Sequence, residues 1–213
     1  MSKTGNFSGM IKLGLILACF ATAACVMLAF VYSATAKIIA QRQQTDLEDS
    51  LKDLFPGADT FREVSDIKSS DPSVSIETQY EALRGSERTG AALRVSRASY
   101  GGPIKVLVGV GVDGKITGVK ILEHSDTPGL GANAESPFYF VDRDRGITFY
   151  GQFTGKPVKD PFEVKGDLAA ITASTITSSA VSAAVKAAGL GAAAWFSGTE
   201  TGAVSGVPEG GAQ

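Results

Sequence analysis

Thr172, Thr175, Thr177, Ser178 and Ser179 crowd a stretch of eight residues, and Val181, Ala184, Val185 and Ala188 follow at three-to-four spacing. That spacing is the apolar face of a packed helix, and hydroxyl residues in front of it mark a helix start. A helix opening near Thr175 turns amides without acceptors, and the positive end of its dipole, toward those hydroxyls. Such a start can hold an anion, a phosphate group above all. Serine and threonine are also ordinary N-cap residues, so the cluster by itself serves either an anion site or a plain helix start.

A second set of residues precedes the cluster. His124 to Gly131 reads HSDTPGLG, in which Pro128 rigidifies a turn while Gly129 and Gly131 let main-chain amides approach a planar ring or a phosphate. A purely structural turn uses the same residues. His124 is the only histidine, so no histidine-based metal cluster or catalytic triad can be built, and a hydrogen-bonded structural role beside the loop is expected for it. Neither a metal site nor a catalytic residue is expected.

The elements that must position these two segments follow from periodicity. Ile104, Val106, Val108, Val110 and Val112 alternate with other residues, Asp113-Gly114 offers a two-residue turn, and Lys115 to Glu123 returns, which predicts an antiparallel hairpin. Gly109 and Gly111 leave one face of it bare, so a helix, another backbone or a flat ligand can approach closely, a packed helix being the commoner cause. A further strand is expected over 73–80. Leu47, Leu51, Leu54 and Phe55 form an amphipathic pattern stopped by Pro56-Gly57, a short helix expected to pack on the domain. Phe138, Tyr139, Phe140, Phe149, Tyr150, Phe153 and Phe162 are broken into short pieces by Gly and Pro. Most of these rings are expected in the core, with one or two free to shield a flat ligand.

Leu13 to Ala36 contains no charged residue. At about 1.5 Å per residue, the run from Leu13 to Tyr32 spans the roughly 30 Å hydrocarbon layer. Ala34-Thr35-Ala36 would suit a signal cleavage site, but the apolar run is longer than the roughly 7 to 15 residues of a signal core, so an uncleaved single transmembrane helix is expected. Lys3 and Lys12 precede it and all 22 acidic residues follow it, which places the N-terminus in the cytoplasm and the domain outside. The 44% hydrophobic and 20% charged content of the 213 residues fits a globular domain and excludes disorder throughout. With 20 basic residues against 22 acidic ones there is no excess of charge for nucleic acid. Cys19 and Cys25 both lie in the apolar run, leaving the domain without a disulfide or thiolate site. The chain divides into a cytoplasmic segment 1–12, an anchor 13–36, a juxtamembrane helix 37–57, a domain 58–190 and a flexible Gly-rich tail 191–213, with no internal repeat.

The order of hairpin, TPGLG loop and T-x-x-T-x-T-S helix start, behind an N-terminal anchor and a short helix ending in Phe55-Pro56-Gly57, resembles the FMN-binding domain family of Rnf-type G subunits. It is also similar to the C subunit of the sodium-translocating NADH:quinone reductase. The resemblance covers roughly residues 13 to 188 and implies an α+β fold, a twisted antiparallel sheet with packed helices on a single N-terminal transmembrane helix. It implies FMN carried covalently through a phosphoester on the last Thr of an S/T-G-A-T motif, here Thr175, with Thr127, Gly129, Leu130, Gly131, Thr172, Thr177 and Ser178 as cofactor-binding residues. Thr177 is the alternative attachment point. It further implies an electron-transfer subunit of an ion-translocating oxidoreductase linked to ferredoxin and NAD, in a bacterial inner membrane with the FMN domain on the periplasmic side. The partners implied are the other membrane subunits of the complex and, for maturation, a flavin transferase. The family's Gly and Ala between the two threonines are Ala173 and Ser174 here, its Asp three residues before the first Thr is Ala169 with Asp167 nearby, and Asp126 stands where it tends to have Glu. A methyl at Ala173 restricts the positive φ that Gly allows. The rival expectation is a flavin-free assembly or sensor protein that keeps the domain fold.

Overall fold

The structure, a computed structural model, describes residues 7–203. The chain forms two compact units, residues 1–48 and 49–213. Helix α1 spans Phe7–Leu54. Its apolar part through residue 39 presents Leu13, Leu17, Phe20, Leu28 and Phe30 at the surface, each at least 70% exposed, as a helix facing lipid would. No break separates residues 36 and 37, so the anchor and juxtamembrane helix expected as two segments are one element. Nothing in that stretch is a Pro or a Gly that would end a helix, and Thr35 hydrogen-bonds back to the Val31 carbonyl at 2.9 Å. The expected cytoplasmic segment and tail lie partly outside the described residues.

The second unit is a five-stranded antiparallel sheet in sequential order: β1 Thr60–Val64, β2 Val74–Arg84, β3 Glu87–Ala98, β4 Pro103–Gly111 and β5 Ile116–Glu123. The fold is α+β, and the sheet is a meander in which each strand pairs with its neighbour in sequence. Alternation along β4 divides its residues between two faces. Ile104, Val106, Val108 and Val110 are fully buried and share a core with Leu93 and Val95 of β3. Helix α2, Thr175–Ala203, covers that face through Val181, Ala184, Val185 and Ala188. Phe149, Phe153 and Phe162 complete this core, whereas Phe138 and Phe140 are exposed. A short hairpin of β6 Phe140–Asp142 and β7 Ile147–Thr148 lies between.

The other face is the bare one. A Cβ on Gly118 would lie 2.7 Å from Leu54, and one on Gly109 3.2 Å from Phe55, so the last turn of α1 sits directly on the glycines. Leu51, Leu54 and Phe55 are buried there, as the amphipathic pattern predicts. The hairpin exists, but its turn is wider than Asp113-Gly114. The strands stop at Gly111 and restart at Ile116, with the Gly114 amide closing on the Gly111 carbonyl at 3.0 Å. Val112 therefore leaves the alternation and is 54% exposed.

The tail is also corrected. Residues 191–203 continue α2, with Ala192 fully buried and Phe196 nearly so. At Gly191 the absence of a side chain permits close packing, since a Cβ there would press into the Lys68 carbonyl. Trp195 adds a cation–π contact, the Arg88 guanidinium lying 4.3 Å from its ring centroid. This helix is long and apolar enough to cross a membrane, but most of its apolar window is buried in the domain.

Candidate functional site

Two loops and the first turn of α2 wall a cavity of about 450 Å³, lined by Tyr100, Asp126, Thr127, Leu130, Gly131, Ala173, Ser174, Thr175, Ile176 and Thr177. The TPGLG loop forms one wall. The Leu130 amide donates to the Thr127 carbonyl at 3.1 Å, with Pro128 and Gly129 at the two central positions. Gly129 has φ +78°, so this is the turn type in which Pro presets the first central residue and Gly supplies a positive φ at the second. Gly131 opens a 3₁₀ turn, Gly131–Ala134. A Cβ there would fall 2.6 Å from both Asp126 Cβ and Thr177 Oγ1, so the loop and α2 touch where the side chain is missing.

The helix start forms the opposite wall. The Ser178 amide donates to the Ser174 carbonyl at 3.0 Å, which makes Ser174 the N-cap and leaves the amides of Thr175, Ile176 and Thr177 without intrahelical acceptors. Ala173, just before the cap, has φ +59°. The fold thus demands at this position the left-handed backbone that a glycine takes freely, and an alanine supplies it. Thr175 is exposed, and Ser174 and Thr177 are buried.

Asp126 joins the walls. It is 5% exposed, and its carboxylate accepts from the Ser99 hydroxyl at 2.8 Å and the Gly101 amide at 2.6 Å, both in the turn between β3 and β4. Burial by itself would raise this carboxyl. The Gly101 amide, the Ser99 and Thr177 hydroxyls and the nearby His124 outweigh that and hold it below the ordinary carboxylate range. His124 Nε2 lies 3.2 Å from Glu135 Oε1.

The structure brings together Thr127, Leu130, Gly131, Thr175 and Thr177 at this cavity. Gly129 and Thr172 instead wall a neighbouring cavity of about 420 Å³ with Asn133, Tyr139, Phe140 and Arg143. Thr172 is tied to Tyr139, whose hydroxyl accepts from the Thr172 amide at 3.0 Å. Ser178 is absent from both walls. Fully buried, its hydroxyl accepts from the Ile171 amide and donates to the Ser174 carbonyl, both at 2.9 Å, because it falls on the apolar stripe three and seven residues before Val181 and Val185. Asp167 is not at the site either. It pairs with Lys156 at 3.0 Å and accepts from the Glu163 amide at 2.6 Å, while Gln152 clamps the Ala169 backbone. Sequence reasoning passes over Tyr100 and Ile176, which are 73% and 58% exposed at the cavity. Exposed aromatic and aliphatic groups of this kind are a signal that only the folded chain makes legible.

The site fits a flavin nucleotide. Its volume falls in the roughly 300–1,000 Å³ range of small-molecule sites, a planar ring is offered Tyr100, Leu130 and Ile176, and an anion is offered the free amides of α2. The fold and site thus define a flavin-nucleotide domain, and the sequence pattern of the FMN-binding domain family matches residues 99–189. That of the RnfG N-terminal region matches residues 1–54.

Among curated relatives, the G subunit of the proton-translocating ferredoxin:NAD(+) oxidoreductase complex of Clostridium ljungdahlii is 33% identical over 87% of this chain and 92% of its own length. The G subunit of the Na(+)-translocating ferredoxin:NAD(+) oxidoreductase complex of Acetobacterium woodii is 32% identical over 82% of this chain and 87% of its own length. The G subunit of the ion-translocating oxidoreductase complex of Cereibacter sphaeroides is 33% identical over 70% of this chain and 65% of its own length. Among solved structures, NqrC of Shewanella oneidensis superposes with a TM-score of 0.45 at 17% identity, over 65% of this chain and 74% of that one. The chain belongs to the family of G subunits of ion-translocating oxidoreductase complexes.

Proposed function

We propose that this chain is the electron-transferring G subunit of a membrane-bound, ion-translocating oxidoreductase of the Rnf type, linked to ferredoxin and NAD, and that it carries FMN through a phosphoester on Thr175. The observation that carries this reading is the position of Thr175: exposed on the first turn of α2, on the cavity wall, beside three amides without intrahelical acceptors. An oxyanion bonded to its Oγ1 would lie at the positive end of the helix. When bound, FMN supplies one- and two-electron redox chemistry, which belongs to the cofactor.

The chain's residues hold and shield. Thr127, Leu130 and Thr175 line one cavity, exposed Tyr100 and Ile176 would cover a bound ring, and Asp126 ties the walls together. Attachment replaces the Thr175 O–H bond by an O–P bond. It therefore needs a flavin nucleotide whose phosphate carries a leaving group, and a transferase to deliver it. The basic residues before the apolar helix support a single-pass anchor in a bacterial inner membrane, N-terminus cytoplasmic and flavin domain on the outer side. Its partners there are the other subunits of the complex.

The test is to purify the full-length protein from its native host, denature it, and look for flavin fluorescence in the gel band with a matching mass increase on the peptide containing Thr175. Thr175→Ala is expected to abolish the signal and to change stability by less than about 0.5 kcal/mol, since the residue is exposed and Ser174 is the cap. A colourless band ends the covalent assignment. The second reading, a flavin-free assembly or sensor protein, rests on the departures Ala169, Ala173 and Ser174 from the family's motif. That reading requires the Thr175→Ala strain to support electron transfer as well as wild type.

A further inference from the structure

Thr175 walls two cavities. The second, about 290 Å³, lies on the other side of the α2 start and is lined by Arg97, Ala98, Thr175, Ile176, Ser179 and Ala180. The two differ in charge. The only charged residue on the larger cavity's wall is Asp126, a buried carboxylate held ionised. A phosphate turned toward it meets a like charge and no cation on that wall. The only charged residue on the smaller cavity's wall is Arg97.

Resting on the flavin reading above, we propose that Arg97 is a phosphate-binding residue of the nucleotide site. The ester phosphate at Thr175 is then neutralised from the smaller cavity, leaving the larger one to the ring. Arg97 lies at the end of β3, 26% exposed, with one nitrogen, Nη1, 3.1 Å from Asp71 Oδ2. Among the described residues its other guanidinium N–H groups make no further hydrogen bond to the protein, so a fork of donors is available for a phosphate oxygen. Ser179 lines the same cavity and is exposed. Asp71 is the competitor: while paired with Arg97 it positions the guanidinium but also offsets part of its charge.

The experiment uses the full-length chain with Thr175→Ala, so that nothing is attached covalently, purified flavin-free in detergent. Dissociation constants for FMN and riboflavin are measured by fluorescence quenching, and their ratio isolates the phosphate. A preference for FMN is expected, of which Arg97 supplies roughly tenfold, the worth of one charge-assisted contact, and the free amides of α2 the rest. Arg97→Gln should lower the ratio roughly tenfold with riboflavin affinity unchanged, which also reports an intact cavity. Asp71→Asn should raise the ratio, because it frees the guanidinium; a merely structural Arg97 would make Asp71→Asn act like Arg97→Gln.

A preference for FMN that Arg97→Gln leaves undiminished, or that falls with Asp71→Asn, overturns the proposal. So does an equal affinity for both flavins in the parent chain, which leaves the ring site standing. Absence of binding by either flavin refutes the flavin site itself and this inference with it.

Discussion

The two walls of the cavity meet the same backbone requirement with different residues. In the TPGLG turn the left-handed position belongs to Gly129, at φ +78°, with open space around a would-be Cβ. Before α2 it belongs to Ala173, at φ +59°. The first conformation is free and the second costs about 1–2 kcal/mol. It persists because the surroundings fix it: Tyr139 holds Thr172, the Ser178 hydroxyl holds the Ile171 amide, and the Ser174 amide donates to the Ile171 carbonyl at 3.0 Å. The approach to the helix is set by contacts, not by the preference of the residue that occupies it.

The comparison can be broken most severely at the group joining the walls. Asp126→Ala strands the Ser99 hydroxyl, the Gly101 amide and the Thr177 hydroxyl, and is expected to destabilise the domain by about 3 kcal/mol in denaturant unfolding. Asp126→Asn tests the charge. Because the folded carboxyl titrates below its unfolded value, its contribution is complete above the unfolded value near 4 and is lost as pH falls through the lower folded one. Acid unfolding of the Asn variant should therefore show a smaller loss over that window than wild type. An identical profile would mean that Asp126 does not hold its proton balance as described.

Next in size is Gly131→Ala, which places a methyl against Asp126 and Thr177. About 1–3 kcal/mol should be lost to overpacking. The sharpest test is a matched pair. Gly129→Ala should cost about 1 kcal/mol, whereas Ala173→Gly should gain roughly 0.5–1 kcal/mol, relief of strain exceeding the added freedom of the unfolded chain. Thermal unfolding of the two variants checks the opposite signs. If Ala173→Gly destabilises, the strain assigned to that residue is not there.

Much of this architecture is legible where a signal is local. The start of α2 at Thr175 follows from hydroxyls ahead of an apolar stripe, and the packing of Leu54 and Phe55 follows from their amphipathic spacing. What stays hidden comes from distant partners. Asp126 meets Ser99 and Gly101, 25 or more residues away, across a turn that nothing in the TPGLG segment announces. Composition alone makes residues 191–203 a tail because Gly and Ala carry little apolar area, yet Gly191 is what lets the helix lie close against the backbone at Lys68. Ser178 misleads for the opposite reason. Its hydroxyl suggests the cavity, while its register with Val181 and Val185 points it inward.

Helix α2 also behaves as a lever. It runs unbroken from the cavity wall to Ala203, and Gly191 sits against the Lys68 backbone with no room for a methyl, roughly 24 Å along the axis from Thr175 at about 1.5 Å per residue. A substitution at that far bearing cannot be absorbed locally by a stiff rod; it tilts the rod, and the misalignment emerges at the opposite end as a change in cavity width. Defects that look remote on the chain would then be felt where the nucleotide sits.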